Sequence, residues 1–363
     1  MSRIGILTFL HNGNYGSSLQ AYALQRVLRE MGYECEHIDY LPDNTEKIIN
    51  MLRCGNNPKL LLEGYRKRSI RKDQTGLQEK DRQILGFYER EMKLSRRCSN
   101  HRDLKSISKE YDILICGSDQ IWNPVWMNPA YFLDFAEEDK KRIAYAASLG
   151  INRVPGRKKQ RMIRRRLRLF DAVSVREEEG ARILVSVTGN RPPVMPDPVC
   201  LLSREEWLPL AGNTETWLKT AGNTEKFPPY LLCYFIGNNP KYWERVNGIR
   251  RQTGLKVYVI PVSADSYEQQ DCFLLDGAGP EEFLCAVRHA SILCTDSFHG
   301  LAFGTIFGVK VELIPRDREG ARDSKNSRTE NFIREIHDKG LPAMREEGLS
   351  WLRMQMDRMI GTD

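Results

Sequence analysis

The sequence predicts an α/β protein of two domains, each a parallel sheet with helical crossovers. Three features carry that expectation. At 363 residues the chain exceeds what one ordinary hydrophobic core serves. Short apolar runs alternate with stretches whose apolar residues recur at helical spacing, the pattern of βαβ units. A polar stretch that carries AGNTE at 211–215 and again at 221–225, ahead of Pro228-Pro229, reads as a linker. Two copies of five residues are too short for a repeat architecture.

The first unit of the pattern opens the chain. Ile4 to Phe9 is a short apolar strand, and HNGNYGSS follows as a glycine-containing turn. Leu19, Ala23, Val27, Leu28 and Met31 mark one face of a helix that Gly32 ends, and Tyr33 to Tyr40 reads as the next strand. Asp39 stands near where a dinucleotide-binding fold places its ribose acid, but Gly13-Asn14-Tyr15-Gly16 is not GxGxxG, so no nicotinamide or flavin site is expected. Residues 42–110 lack strand signals and read as amphipathic helices, a basic insertion between strands. Tyr111 to Cys116 is a buried strand ending in GSDQIWNP, where Asp119 stands at the strand's carboxyl end, as a base or sugar ligand or as a loop anchor. Arg157–Arg168 is a helix with Met162, Ile163, Leu167 and Leu169 on its buried side. Ala172 to Val175 is a strand with Arg176 directly after it, placed to grip a carboxylate or phosphate, or to pair weakly with Glu177 or Glu178. Tyr230 to Ile236 and Lys256 to Ile260 are strands around a helix, and Trp351, Met354 and Ile360 mark a C-terminal helix.

Residues Ala290 to Gly308, ASILCTDSFHGLAFGTIFG, draw the most attention. Ser291 to Cys294 suits a buried parallel strand, Thr295-Asp296-Ser297 breaks it, and Leu301, Phe303, Ile306 and Phe307 recur at helical spacing until Gly308. Ser297 is placed to cap the helix, whose N-terminus attracts an anion at the carboxyl end of a strand. His299 falls in the first turn. Imidazole exchanges protons near neutrality, so it is either an acid–base group or a side chain that bonds a neighbouring carbonyl.

Composition excludes several classes. With 41% hydrophobic and 28% charged residues, the chain is that of a soluble globular protein, and no apolar run has the length of a membrane span. The N-terminus reads as a first strand, not a signal peptide. Nine cysteines without a CxxC pair argue against a disulfide framework or zinc knuckle, and no metal site is expected. A cytoplasmic protein follows. The net charge of +7 is concentrated: Lys59–Lys109 holds 15 basic and 7 acidic residues, and Arg157–Arg168 holds eight basic residues and no acid. Such segments imply an anionic partner, which for Arg157–Arg168 is not single-stranded nucleic acid, because stacking aromatics are missing.

NYGSSLQAYAL, GSDQIWNP, SVRE, MPDPV and TDSFHG, in this order, resemble the polysaccharide pyruvyltransferase family from Gly5 to about Leu341. The resemblance implies two Rossmann-like domains in a GT-B-like arrangement with the active-site cleft between them. Residues 1–208 form the first domain with its insertion at about 42–110, 209–228 the linker and 229–342 the second domain. Residues 343–363 form a C-terminal helix that returns to the first domain. It implies transfer of pyruvyl from phosphoenolpyruvate, the donor substrate, to the hydroxyls of a saccharide, with a pyruvate ketal as product and no cofactor. Such a reaction belongs to cell-surface polysaccharide biosynthesis. The acceptor can be lipid-linked, and the basic segments would meet anionic membrane at its inner face.

On that resemblance His299 and Asp119 are the catalytic candidates. Arg176, Ser297, Asp296, Arg328, Asn14, Tyr15, Gly16, Ser118 and Gln120 are the substrate-binding ones. Family members place Arg-Leu ahead of the histidine; here Ser297-Phe298 stands there. The missing arginine leaves Arg176, Arg328 and Arg316 as substitutes. Two other classes remain open at this point: a GT-B glycosyltransferase using a nucleotide sugar, and a non-enzymatic anion- or nucleic-acid-binding protein.

Overall fold

A computed structural model describes residues 2–59, 75–211, 228–262, 264–269, 271–316 and 327–361. The AGNTE segments lie almost wholly outside the described residues, as do Leu60–Leu62 and Tyr65 of the basic insertion. The chain divides into two units. Met1–Asp73, Tyr88–Leu201 and Glu335–Asp363 make the first, and Gln74–Phe87 with Leu202–Arg334 the second. The unit boundary therefore falls inside the segment read from sequence as one insertion.

The first unit begins β1 (Arg3–Leu7), α1 (Tyr15–Glu30), β2 (Glu34–His37) and α2 (Asn44–Cys54). Helix α3 (Thr75–Glu91) contains the boundary, and α4 (His101–Ser108), β3 (Ile113–Cys116) and β4 (Lys141–Ala147) follow. It continues with α5 (Arg157–Leu167), β5 (Ala172–Val175) and α6 (Glu178–Thr188). All pairings are parallel and the strand order is β2-β1-β3-β4-β5. In this doubly wound order the sequence reverses direction between β1 and β3, and ligands bind beyond the carboxyl ends of strands at such a switch point.

The second unit holds β6 (Tyr230–Tyr234), α7 (Lys241–Thr253), β7 (Lys256–Val259), β8 (Phe273–Leu274) and α8 (Pro280–His289). Then come β9 (Ile292–Thr295), α9 (Phe298–Phe307), β10 (Lys310–Leu313) and α10 (Ser327–Asp338). Its order, β10-β9-β6-β7-β8, is again all parallel, with the switch point between β6 and β9. The fully buried ILCT run of β9 fits a central parallel strand with both faces covered.

The C-terminal helix α11 (Gly340–Ile360) belongs to the first unit. Gly348 lies where a Cβ would meet Leu201 at 2.5 Å and the Tyr145 hydroxyl at 2.7 Å, so the helix backbone approaches closely. Trp351 packs on the Tyr145 ring, and Arg345 donates to the Leu201 carbonyl. The core of this unit also takes Ile121 and Trp122 of GSDQIWNP. Trp122 stacks on Phe132 and donates Nε1–H to the Tyr131 carbonyl. That half of the motif is packing. Of the expected buried side of α5, Ile163 alone is fully enclosed, while Leu169 beyond the helix end is exposed.

His37, at the end of β2, is fully buried with Nε2 donating to the Ala21 carbonyl at 2.9 Å. Burial pushes its pKa down to about 4, outweighing the bond to Ala21. The unfolded chain takes up a proton near the ordinary histidine value while the folded chain refuses it, so stability rises with pH across that interval. We predict that unfolding free energy falls by up to about 3 kcal/mol as pH drops from about 6.5 to 4. In His37→Gln, which keeps a donor for Ala21, urea titrations across pH should show that slope flattened.

Candidate functional site

Two constellations form, one at each switch point. In the first unit the turn after β1 is fixed by its own polar side chains. Asn14 caps α1, its Oδ1 accepting from Gly16 N at 2.9 Å, as an N-cap residue does. Asn12 accepts from Asn14 N and donates Nδ2–H to Ser17 Oγ, and Ser17 Oγ donates to Asp119 Oδ2 at 2.5 Å. Thr8 Oγ1 donates to the Ser118 carbonyl, so β1 and β3 are tied across the switch point. Ser18 Oγ lies 2.8 Å from the Tyr88 hydroxyl, and Gln20 donates to Thr8 and Ser17. The polar residues of NYGSSLQ are thus largely consumed inside the protein.

Three of the residues expected at a site take definite places here. Tyr15, read as a substrate contact, is 1% exposed and belongs to the core. Asp119, read as a base or an anchor, adopts φ 73°, a left-handed conformation that aspartate tolerates better than most residues. One of its oxygens takes Ser17 Oγ and the other its neighbour's N–H at Gln120, which is the arrangement of an anchor. Gln120 in turn accepts from Asn123 and lies against Gly150, where a Cβ would meet its Oε1 at 2.2 Å.

Arg176 was expected at an anion or in a weak exposed pair. It sits instead in a buried pair: Nη1 donates to Asp197 Oδ2 at 2.5 Å, with Glu177 Oε2 3.6 Å from Nε. Ser118 Oγ donates to the same Asp197 oxygen at 2.9 Å, and Glu177 Oε1 accepts from Ser148 Oγ. Burial alone would lower the arginine's pKa, but Asp197, Glu177 and Asp119 outweigh it and raise it. Removing one member of such a buried pair is costly. Asp197, from MPDPV, and Arg176, from SVRE, are the residues that these two motifs bring together.

His11 was not singled out from the sequence. It takes φ 52° in the turn, and its Nε2 lies 2.5 Å from Asp39 Oδ1, while Arg97 Nε donates to Asp39 Oδ2 at 2.7 Å. Burial opposes ionisation of Asp39, yet the bonds from His11 and Arg97 prevail and hold its carboxyl below the usual range. The signal in the sequence was only an acid at a strand end.

In the second unit Asp296 is the hub. Its side chain is fully buried and accepts from Ile236 N at 2.7 Å, Gly237 N at 2.8 Å, the Tyr242 hydroxyl at 2.7 Å and Arg316 Nε at 2.7 Å. These bonds cross the switch point between β6 and β9. Burial, then the Asp296 charge, pushes the Tyr242 phenol far up, so it stays a donor. Asp296, read as a substrate contact, thus accepts four hydrogen bonds from the protein itself. Gly237 is required here, since a Cβ would come within 2.8 Å of the Tyr242 hydroxyl, Arg316 and Asp296 alike.

Ser297 caps α9 as expected, its Oγ accepting from Gly300 N at 3.3 Å. His299 is the second residue of α9 and is 6% exposed. At Gly300 a Cβ would meet Thr295 Oγ1 at 2.5 Å, so glycine lets the helix start against its own strand. Arg316 Nη2 also donates to the Asp296 carbonyl, which sets the guanidinium beside the turn. Phe332 of α10 meets Phe298 at 5.4 Å between ring centroids, and Arg328 stands one helical turn before Phe332. The second switch point thus gathers Asp296, Ser297, His299 and Arg316. The first gathers Asn14, Gly16, Ser118, Asp119, Gln120 and Arg176. Among the described residues no cluster of His, Cys, Asp or Glu has the makings of a metal site.

Comparison with known proteins adds two findings. Solved structures similar in fold include the UDP-GlcNAc 2-epimerase from Neisseria meningitidis bound to UDP-GlcNAc, at 9% identity and TM-score 0.56, covering 100% of both chains. The UDP-GlcNAc 2-epimerase from Methanocaldococcus jannaschii is also similar, at 11% identity and TM-score 0.54, covering 98% of this chain and 99% of that one. At such identity the likeness speaks for the fold, which is of the GT-B class. Comparison with curated proteins finds no match. The sequence model of the polysaccharide pyruvyl transferase family matches residues 14–318, a span that runs from the α1 cap through both switch points to Arg316 and just beyond. The chain belongs to the polysaccharide pyruvyl transferase family.

Proposed function

We propose that the protein transfers pyruvyl from phosphoenolpyruvate to saccharide hydroxyls and leaves a pyruvate ketal. The observation that carries this reading is the second switch point, where His299, the positive end of α9 and the Arg316 guanidinium lie at one turn. Membership of a transferase family supports it. The fold alone does not choose between this reaction and nucleotide-sugar chemistry, because one fold hosts many functions.

The chemistry asks for an acid and for anion-holding groups. A proton added to the methylene carbon of the donor leaves an electrophilic carbon stabilised by its ester oxygen. One acceptor hydroxyl adds to that carbon and loses its proton. A second hydroxyl then displaces phosphate, so that donor and diol give ketal and inorganic phosphate. We assign the proton to His299, a role that typically contributes about 10²–10⁴-fold. Of the three arginines left open by the sequence, Arg316 is held by Asp296 at the turn that leads to His299, whereas Arg176 is held by Asp197 in the first unit. Arg316, with Arg328 on α10, is our choice for the donor's anionic groups, in place of the arginine that the family carries ahead of its histidine.

Incubation with phosphoenolpyruvate and a panel of saccharides should release phosphate and give a product whose mass carries a pyruvyl ketal. Consumption of a nucleotide sugar, with phosphoenolpyruvate untouched, would overturn the reading. His299→Gln should lose about 10²–10⁴ in kcat with little change in phosphoenolpyruvate affinity or thermal midpoint. Near wild-type kcat in a folded variant would remove His299 from proton transfer. Asp296→Asn should behave differently and destabilise the fold by about 3 kcal/mol, because a neutral amide cannot serve two N–H groups, a phenol and a guanidinium. An unchanged unfolding midpoint would show that the hub is not what holds the turn.

A further inference from the structure

We infer that the outward face of α5, with the groove beside it, is a docking surface for an anionic phospholipid bilayer. On a helix of 3.6 residues per turn, Arg157, Arg161, Arg164 and Arg168 fall on one stripe, with Lys158 and Arg165 at its flank. All six are exposed, and Ile163, on the opposite side, is the residue buried. Three other contacts fix the helix in this orientation. Arg164 Nε donates to the Val187 carbonyl, Arg166 pairs with Asp134, and Lys159 donates to Asn56 Oδ1. Arg157, Lys158, Arg161, Arg165 and Arg168 make no ion pair among the described residues. Nothing acidic in α5 offsets the field they create.

Charge alone would suit any polyanion, and the exposed apolar side chains beside it favour a bilayer. A cavity of about 590 Å³ opens beside the stripe, lined by Arg164, Arg168, Asn190 and Arg191 together with the half-buried Leu167 and Phe170. The acid lining it, Asp171, accepts from Arg142 N and has Lys141 Nζ at 3.8 Å. Leu169 and Val185 are exposed nearby in sequence, on the segment after α5 and on α6. Basic side chains next to the exposed Leu169 and Val185, with a groove of mixed polar and apolar lining beside them, match a headgroup layer with acyl chains beneath it. The α5 stripe itself carries no aromatic side chain on which a base would stack. Ala172 and Val173, at the amino end of β5, line the groove, whereas the first-unit constellation lies beyond the strands' carboxyl ends. The surface is thus distinct from that constellation and does not depend on the proposed chemistry.

The test uses the full chain with vesicles of neutral phosphatidylcholine and of phosphatidylcholine mixed with phosphatidylglycerol, followed by co-sedimentation. Wild type should bind the anionic vesicles, should ignore the neutral ones and should release as salt rises. Arg161→Gln, Arg165→Gln and Arg168→Gln together should weaken binding by about 100-fold with an unchanged thermal midpoint, since these side chains hold nothing else in place. Leu169→Ser should weaken it further at constant charge. Binding by the triple variant equal to wild type would overturn the inference, as would wild type that ignores anionic vesicles. So would a single-stranded RNA oligomer that displaces vesicles at lower concentration than it takes to half-saturate them.

Discussion

A buried carboxylate at the end of β9 sets the geometry of the second unit. Asp296 would be costly to bury alone, since a carboxylate stripped of water must be repaid by charge and hydrogen bonds. Two backbone N–H groups after β6, a phenol from α7 and a guanidinium after β10 supply them. The four donors come from three separate segments, so the same bonds that stabilise the charge also bring those segments to one point. Ser297 follows directly and caps α9, which puts His299 in the first helical turn. The position of the candidate acid is thus inherited from the position of Asp296.

The first unit solves the same problem with different residues. Asp119 closes the turn after β3 through Ser17 and its own neighbour's amide, and Asp197 joins Ser118 to Arg176 at the end of β5. In both units, polar residues that motif reading marks as ligand contacts are first of all the means by which parallel strands end in ordered turns. That requirement is general, since strand-end loops carry backbone groups that need partners. Asp296, Asp119 and Arg176 each meet that requirement with hydrogen bonds to other parts of the protein.

How much of this was legible in the sequence follows from the range of the interactions. The alternation of strand and helix was legible because it rests on local apolar spacing: the ILC run and the capping Ser297 before LAFGTIFG state strand, turn and helix within one window. The GT-B class was legible through the ordered motifs. Pairings were not. Arg176 and Asp197 are 21 residues apart and could be quoted as separate motifs without any hint that they meet. The left-handed backbone at Asp119 and His11 leaves no trace in residues that are not glycine. Tyr15 stands in the opening motif that carries the family resemblance, but the helix it opens is buried on most faces, which a one-face periodicity does not reveal.

The central claim is that the second switch point holds the anionic donor through Arg316. Calorimetric titration of phosphoenolpyruvate into wild type and Arg316→Gln, both well below their thermal midpoints, tests it most directly. Wild type should bind, and the variant should bind at least about tenfold more weakly, the least expected for loss of a charge-assisted contact of about 1.5–3 kcal/mol. Equal affinity in the two proteins would contradict the claim and move the donor away from this turn.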